Sequence, residues 1–203
     1  MKCPPPVVSL PPFLSSLYDA GALDRLGSSI AALDERAHIL WVNQGWKRFA
    51  LENGGDVPLD RFPNYLDGVV GPLRDHFREV LTSTIASGEV FQCDYHCSTP
   101  DTIREFRMRV LPFPPSGLLV EHSPIAAPHP APAGEPPLES VFMDSNQQIH
   151  QCSNCRRVRK ATSDETEVWA WVPAWVARSH PRTSHGLCTP CMGYFVRRSR
   201  RRH

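Results

Sequence analysis

Two short cysteine pairs constrain this chain more than any other feature. Cys152-Ser153-Asn154-Cys155 and Cys188-Thr189-Pro190-Cys191 each hold two thiols three positions apart, and 32 residues separate the pairs. Each spacing lets a tight turn aim two sulfurs at one ion, and the intervening chain closes the set. Four thiolates at about 2.3 Å around a tetrahedral centre are the ligand set of a closed structural zinc site. The separation exceeds the roughly 15 to 20 residues of the commonest zinc patterns. Trp169, Trp171, Pro173 and Trp175 fall within it, so a helix or turn packed on the site is expected there. Two other readings of the same residues stay open: ordinary buried thiols in a small core, and a redox-active Cys-x-x-Cys. His185, three residues before Cys188, is either a substitute ligand or an outer contact that orients the ligands. With four positions filled by protein there is no place for an activated water, and hydrolysis at such a metal is not expected.

The 203 residues accommodate one domain of about 100 to 150 residues and a smaller module. Apolar residues at 41% and charged residues at 21% are globular values, whereas 21 prolines are about twice the usual share near 5%. No window reaches the roughly 18 apolar residues of a membrane span, and Met1-Lys2-Cys3-Pro4-Pro5-Pro6 lacks the apolar core of a signal peptide. A cytoplasmic chain without membrane association is expected. In a reducing compartment its seven cysteines are reduced or metallated rather than disulfide-bonded. Charge divides unevenly: residues 150–203 carry 11 Lys and Arg against 3 Asp and Glu, net +8, and residues 1–149 are net −7. The C-terminal part is therefore suited to an acidic partner.

Residues 1–27 begin proline-rich and continue into an expected helix over 14–26. Apolar runs 30–33 and 38–42 flank Asp34-Glu35-Arg36-Ala37 and predict a β-hairpin. Asn43 stands at a helix N-cap position ahead of Trp46, Phe49 and Ala50, and Asn53-Gly54-Gly55 predicts the stop. Pro72 to Ser87 places Leu73, Phe77, Val80, Leu81 and Ile85 on one helical face. Strands are expected at 90–96, 103–111 and 117–122. Strands, helices, then strands imply an α+β fold with an antiparallel sheet and helices on one face. Residues 123–149 read as an extended Pro/Ala-rich linker, 150–196 as the four-cysteine module and 197–203 as a basic tail.

Four stretches stand out within residues 28–122: Val42-Asn43-Gln44-Gly45-Trp46, Asn64-Tyr65-Leu66-Asp67, Tyr95-His96-Cys97-Ser98-Thr99-Pro100 and Arg104-Glu105-Phe106. On these the segment resembles a bacterial PAS domain. The resemblance implies a five-stranded antiparallel sheet with helices over one face, a sensory and interaction role, dimerisation, and in some members a small ligand that these residues do not name. The C-terminal part carries 152–159 (Cys-Ser-Asn-Cys-Arg-Arg-Val-Arg), Trp171-Val172-Pro173 and Ser184-His185-Gly186-Leu187-Cys188. On these it is similar to a zinc-binding segment appended to bacterial PAS proteins and response regulators. Where such PAS domains commonly end in Asp-Ile-Thr, this chain has Ser123-Pro124-Ile125, and the missing Asp and Thr weaken the case for signal transfer through that junction.

Other candidates are weaker. Cys93, His96 and Cys97 suggest a haem or metal site, but strand alternation puts Cys93, Tyr95 and Cys97 on one face and His96 on the other, so packing is expected. Trp41 and Trp46 are expected in the core. Arg197 to Arg202, with Arg156, Arg157, Arg159 and Lys160, are basic enough to meet phosphates or to form a solvated tail. Phosphate-loop, Gly-x-Ser-x-Gly and His-Glu-x-x-His motifs are absent from the sequence, so no enzyme is expected. The leading expectation is a PAS signalling protein that works by associating with a second copy or another signalling protein. A zinc-dependent nucleic-acid-binding transcriptional regulator is the alternative, and a thiol redox protein a more distant one.

Overall fold

The computed structural model of the chain describes residues 9–53, 64–113, 117–161 and 167–200, with side chains as far as Phe195. The expected proline run at Pro4 to Pro6, the Gly54-Gly55 stop and Arg201-Arg202 lie outside these residues.

The chain opens with α1 (Pro12–Ser15), α2 (Ala20–Arg25), β1 (Ser29–Leu33), β2 (Ile39–Val42) and α3 (Gln44–Glu52). A 3-10 turn at Tyr65–Gly68 precedes α4 (Pro72–Ser87), β3 (Phe91–His96), β4 (Thr102–Ile103), β5 (Glu105–Phe113) and β6 (Gly117–Pro124). Then come β7 (His129–Pro130), α5 (Glu139–Phe142), β8 (Ile149–Cys152), β9 (Val158–Arg159) and β10 (Trp169–Ala170). The last elements are α6 (Pro173–Ala177), β11 (Thr183–Gly186) and α7 (Thr189–Arg200). Two compact units result. One comprises Met1–Gly68, His76–Asp94 and Phe106–Ile125; the other comprises Val69–Asp75, Tyr95–Glu105 and Ala126–His203.

The first unit is α+β, built on a five-stranded antiparallel sheet in the order β2-β1-β6-β5-β3. Alternation along the strands sorts its core into two faces. Ile30, Ala32, Trp41 and Leu119 pack with Leu10, Leu14 and Leu23 of the N-terminal segment. Ala31, Val110 and Val120, paired in register and fully buried, lie on the opposite face, where α3 brings Trp46 onto His122 and Phe49 onto Phe106. Trp41 is core, as expected.

The β1–β2 hairpin turns where Asp34 was expected to turn it. Asp34 Oδ1 accepts from the Arg36 and His38 backbone N–H groups at 2.9 and 2.8 Å, and Ala37 takes a left-handed φ of 65°. Asn43 caps α3, its Oδ1 accepting from Trp46 N–H at 2.9 Å. The same oxygen accepts from Ile30 N–H at 2.9 Å, while Nδ2 donates to the Leu23 and Ser28 carbonyls at 3.0 Å each. One buried amide thus ties together α2, β1 and α3.

Two expected elements differ. The run from Leu14 to Leu26 forms two short helices, because Asp19 is extended (φ −84°, ψ 126°) and its carboxylate accepts from Ala22 N–H at 2.8 Å, starting a new helix. The strand expected over 103–111 is interrupted at Arg104, whose N–H donates to Ser98 Oγ and whose guanidinium donates to the Cys97 carbonyl.

The second unit holds a four-stranded sheet in the order β10-β9-β8-β11 and the small β4-β7 ladder. Residues 123–149 do not run extended throughout. His129–Pro130 pair with Thr102–Ile103, Glu135 N–H donates to the Trp171 carbonyl at 2.8 Å, and α5 buries Phe142. Phe142 and Ile149 are the physical reason: they are large apolar groups in a stretch of small ones, and they close a core with Val158, Ala170, Val172 and Trp175.

Candidate metal centre

The first two cysteines come from the end of β8 and the turn beyond it. Cys152 is fully buried; its N–H donates to the Arg157 carbonyl at 2.8 Å, and its carbonyl accepts from Arg156 N–H at 3.1 Å. Arg156, with φ 65°, reverses the chain. The other two come from a helix start. β11 runs parallel to β8 with Gly186 opposite Cys152, and Ser153 N–H donates to the Gly186 carbonyl at 2.8 Å. Cys188 immediately precedes α7, and Cys191 lies in its first turn. The unpaired N–H groups and partial positive charge of a helix start favour thiolates there. Pro190 fits that first turn because its missing N–H has no helical partner to lose.

All four Sγ atoms lie within 4.8 Å of one another, and Cys155 Sγ stands 3.7 Å from Cys188 Sγ. Sulfurs about 2.3 Å from one tetrahedral centre are about 3.8 Å apart, whereas a disulfide requires about 2.05 Å. The donors therefore fit a single thiophilic ion. Hydrogen bonding from Cys155, then from Cys188 and Cys191, holds the Cys152 thiol far below its ordinary range, and the Cys152 contact pushes Cys155 up. A cation bound to all four sulfurs relieves that competition for charge.

Around the sulfurs, Trp169 and Leu187 pack against the cluster. Of the three tryptophans between the pairs, only Trp169 is part of that packing. Trp171 donates to the Pro100 carbonyl at 2.9 Å, and Trp175 meets Phe142 edge-on in the separate apolar core. His185 lies on β11 outside the four-sulfur group. Its Nδ1 and Ser153 Oγ are buried without a hydrogen-bond partner among the described residues. Both crowd Gly71 (φ 61°), where a Cβ would stand 2.7 Å from His185 Cβ and from Ser153 Oγ; only glycine fits there. Asn154, 6% exposed, donates from Nδ2 to Cys191 Sγ at 3.3 Å and accepts at Oδ1 from His96 N–H at 3.2 Å. Sequence reasoning missed it because an asparagine between two cysteines carries no ligand signal of its own.

Cys93 is fully buried in the first unit and Cys97 belongs to the second, its thiol pushed up by burial. Among the described residues, the group of close metal-ligating side chains includes none of Cys93, His96 and Cys97. The first unit carries an unforeseen polar group: Tyr65 Oη lies 3.1 Å from His122 Nε2, the rings stack at 16°, and Trp46 flanks both. Burial lowers the His122 pKa to about 4; burial, with a smaller contribution from Cys93, raises that of Tyr65. At neutral pH the pair is an uncharged imidazole beside an intact phenol.

No family model matches the chain, and no curated protein does. Solved PAS domains are similar to about half of it. One from a Colwellia psychrerythraea protein is 15% identical, with a TM-score of 0.42, and covers 52% of this chain and 92% of its own. That of BvgS from Bordetella pertussis is 14% identical, with a TM-score of 0.41, covering 53% and 84%. That of the quorum-sensing receptor RpfR from Cronobacter turicensis, solved in complex with BDSF, is 20% identical, with a TM-score of 0.40, covering 50% and 97%. The fold class rests on the chain's own sheet. Among the described residues no helix is long and apolar enough to cross a membrane.

Proposed function

We propose that this chain is a PAS-type sensory and signalling protein that acts by associating with a second copy or with another signalling protein, without a catalytic output of its own. In this reading one zinc ion on Cys152, Cys155, Cys188 and Cys191 staples the second unit. The observation that carries it is the convergence of four thiols from two distant segments to within 4.8 Å. An all-thiolate tetrahedral set selects zinc among common divalent ions and leaves no open position. Zinc supplies no redox chemistry there; it holds the turn after β8 against the start of α7. The sensory half is supported by the five-stranded antiparallel sheet and by the PAS-like stretches at Val42 to Trp46 and Asn64 to Asp67.

Plasma mass spectrometry of the purified protein, with Cys152→Ser and Cys188→Ser alongside, tests the metal. About one zinc per chain, lost in both variants and without visible absorption, is expected. A folded wild type without zinc, or one holding iron with visible bands, rejects the reading. Sedimentation velocity tests association: the mass of a single chain at every concentration rejects self-association and leaves only a different partner.

A further inference from the structure

A primary amide has a fixed polarity, with one end only donating and the other only accepting. Asn154 uses both ends inside the second unit: Nδ2 toward Cys191 Sγ and Oδ1 toward the N–H of His96, the last residue of β3. Reversing the amide would set its oxygen against the sulfur and its NH2 against the His96 N–H, two repulsive contacts. A metal-bound Cys191 thiolate is purely an acceptor, so metal binding selects the orientation that supplies His96 with its acceptor. Resting on the zinc reading above, we infer that Asn154 is a positioning residue that couples occupancy of the four-cysteine site to the order of the β3 end. The same bridge strengthens metal binding by stabilising charge on Cys191. Linkage makes the effect reciprocal: whatever displaces the strand end at His96 weakens metal binding by the factor through which metal loss loosens the strand. Beyond His96 the chain continues through Cys97, whose N–H donates to the Arg104 carbonyl at 2.9 Å, and on to β4. A ligand or partner that engages residues 97–104 therefore reaches the metal site through one buried side chain.

The test uses the full-length zinc-loaded protein and Asn154→Leu, which keeps the side chain's bulk and removes both hydrogen bonds. Zinc affinity by chelator competition should fall about tenfold. At saturating zinc, amide exchange at His96 should quicken by about tenfold or more, while that at Ala31 in the first unit stays unchanged. A zinc-saturated variant whose His96 exchanges at the wild-type rate overturns the coupling and leaves the zinc reading standing; a folded wild type that binds no zinc overturns both. Should the variant not fold, wild type loaded with cadmium-113 decides. Coupling between the metal and the Asn154 side-chain amide proton through the Cys191 sulfur is expected, and its absence overturns the bridge.

Discussion

Lowering the pH should destabilise the first unit through His122. This side chain is 9% exposed, lies against Trp46 and Tyr65, and has a pKa reduced by burial from 6.5 to about 4. A histidine with a depressed folded pKa stays neutral in the native state while the unfolded chain takes up a proton. Stability is therefore full above pH 6.5, falls as the pH drops from there towards 4, and levels off below. The slope is at most about 1.4 kcal/mol per pH unit, and the whole window contributes roughly 3 kcal/mol. Between pH 7 and pH 5 the expected loss from this group is about 2 kcal/mol. Urea unfolding of wild type and His122→Gln at both pH values isolates it, since every other titration is common to the two proteins. The variant should lose about 2 kcal/mol less than wild type over that interval. An NMR titration of the native His122 ring should place its midpoint near 4. A native midpoint at 6 or above, or equal losses in the two proteins, would refute the claim that burial holds this imidazole neutral.

Two further substitutions test the frame around the sites. Asn43→Ala removes four hydrogen bonds at once; combining a lost cap with buried groups left unpaired, chemical denaturation should show a loss of roughly 3 kcal/mol, and a loss below about 1 would mean those groups find other partners. Gln147 holds a left-handed φ of 60° in the turn before β8, so Gln147→Gly should raise stability by roughly 0.5–1 kcal/mol despite losing the exposed contact with Arg182; a lower denaturation midpoint would show that the contact outweighs the strain.

The legible parts of the sequence were those where local chemistry decides local structure. The Asp34 turn, the Asn43 cap, the Pro72–Ser87 helix and the two Cys-x-x-Cys pairs each declare themselves within a few residues. What stayed hidden needed partners far along the chain. Asp19 stopping a helix at Ser15 and starting another at Ala20 competes with an apolar run that reads equally well as one helix. Phe142 draws a Pro/Ala-rich stretch into a core whose other members lie between Ile149 and Trp175. His122 and Tyr65 are 57 residues apart, and neither strand alternation nor helical spacing joins them. At the candidate metal centre the sequence displays the four cysteines; the bond between His96 and Asn154 crosses 58 residues and exists only in the folded unit.

The second unit also shows why its cysteines bear on folding. β8 and β11 share only four register pairs, from Thr183 opposite Ile149 to Gly186 opposite Cys152, and a parallel ladder that short is marginal by itself. Among the described residues its apolar core is a cluster centred on Phe142 and Trp175. The sulfur cluster is separate and made almost wholly of groups that cannot pack as hydrocarbon once ionised. Cys152 ends β8, and Cys188 follows β11 by two residues. On the zinc reading, an ion shared by Cys152, Cys155, Cys188 and Cys191 would close the ladder at its Gly186–Cys152 end. Removing it should release β11 and α7 before the Phe142 core opens. In a zinc-titrated sample, amide exchange that rises first from Thr183 onward would bear this out. Simultaneous loss of protection at Ile149, Val158 and Ala170 would show instead that the two cores fold as one cooperative body.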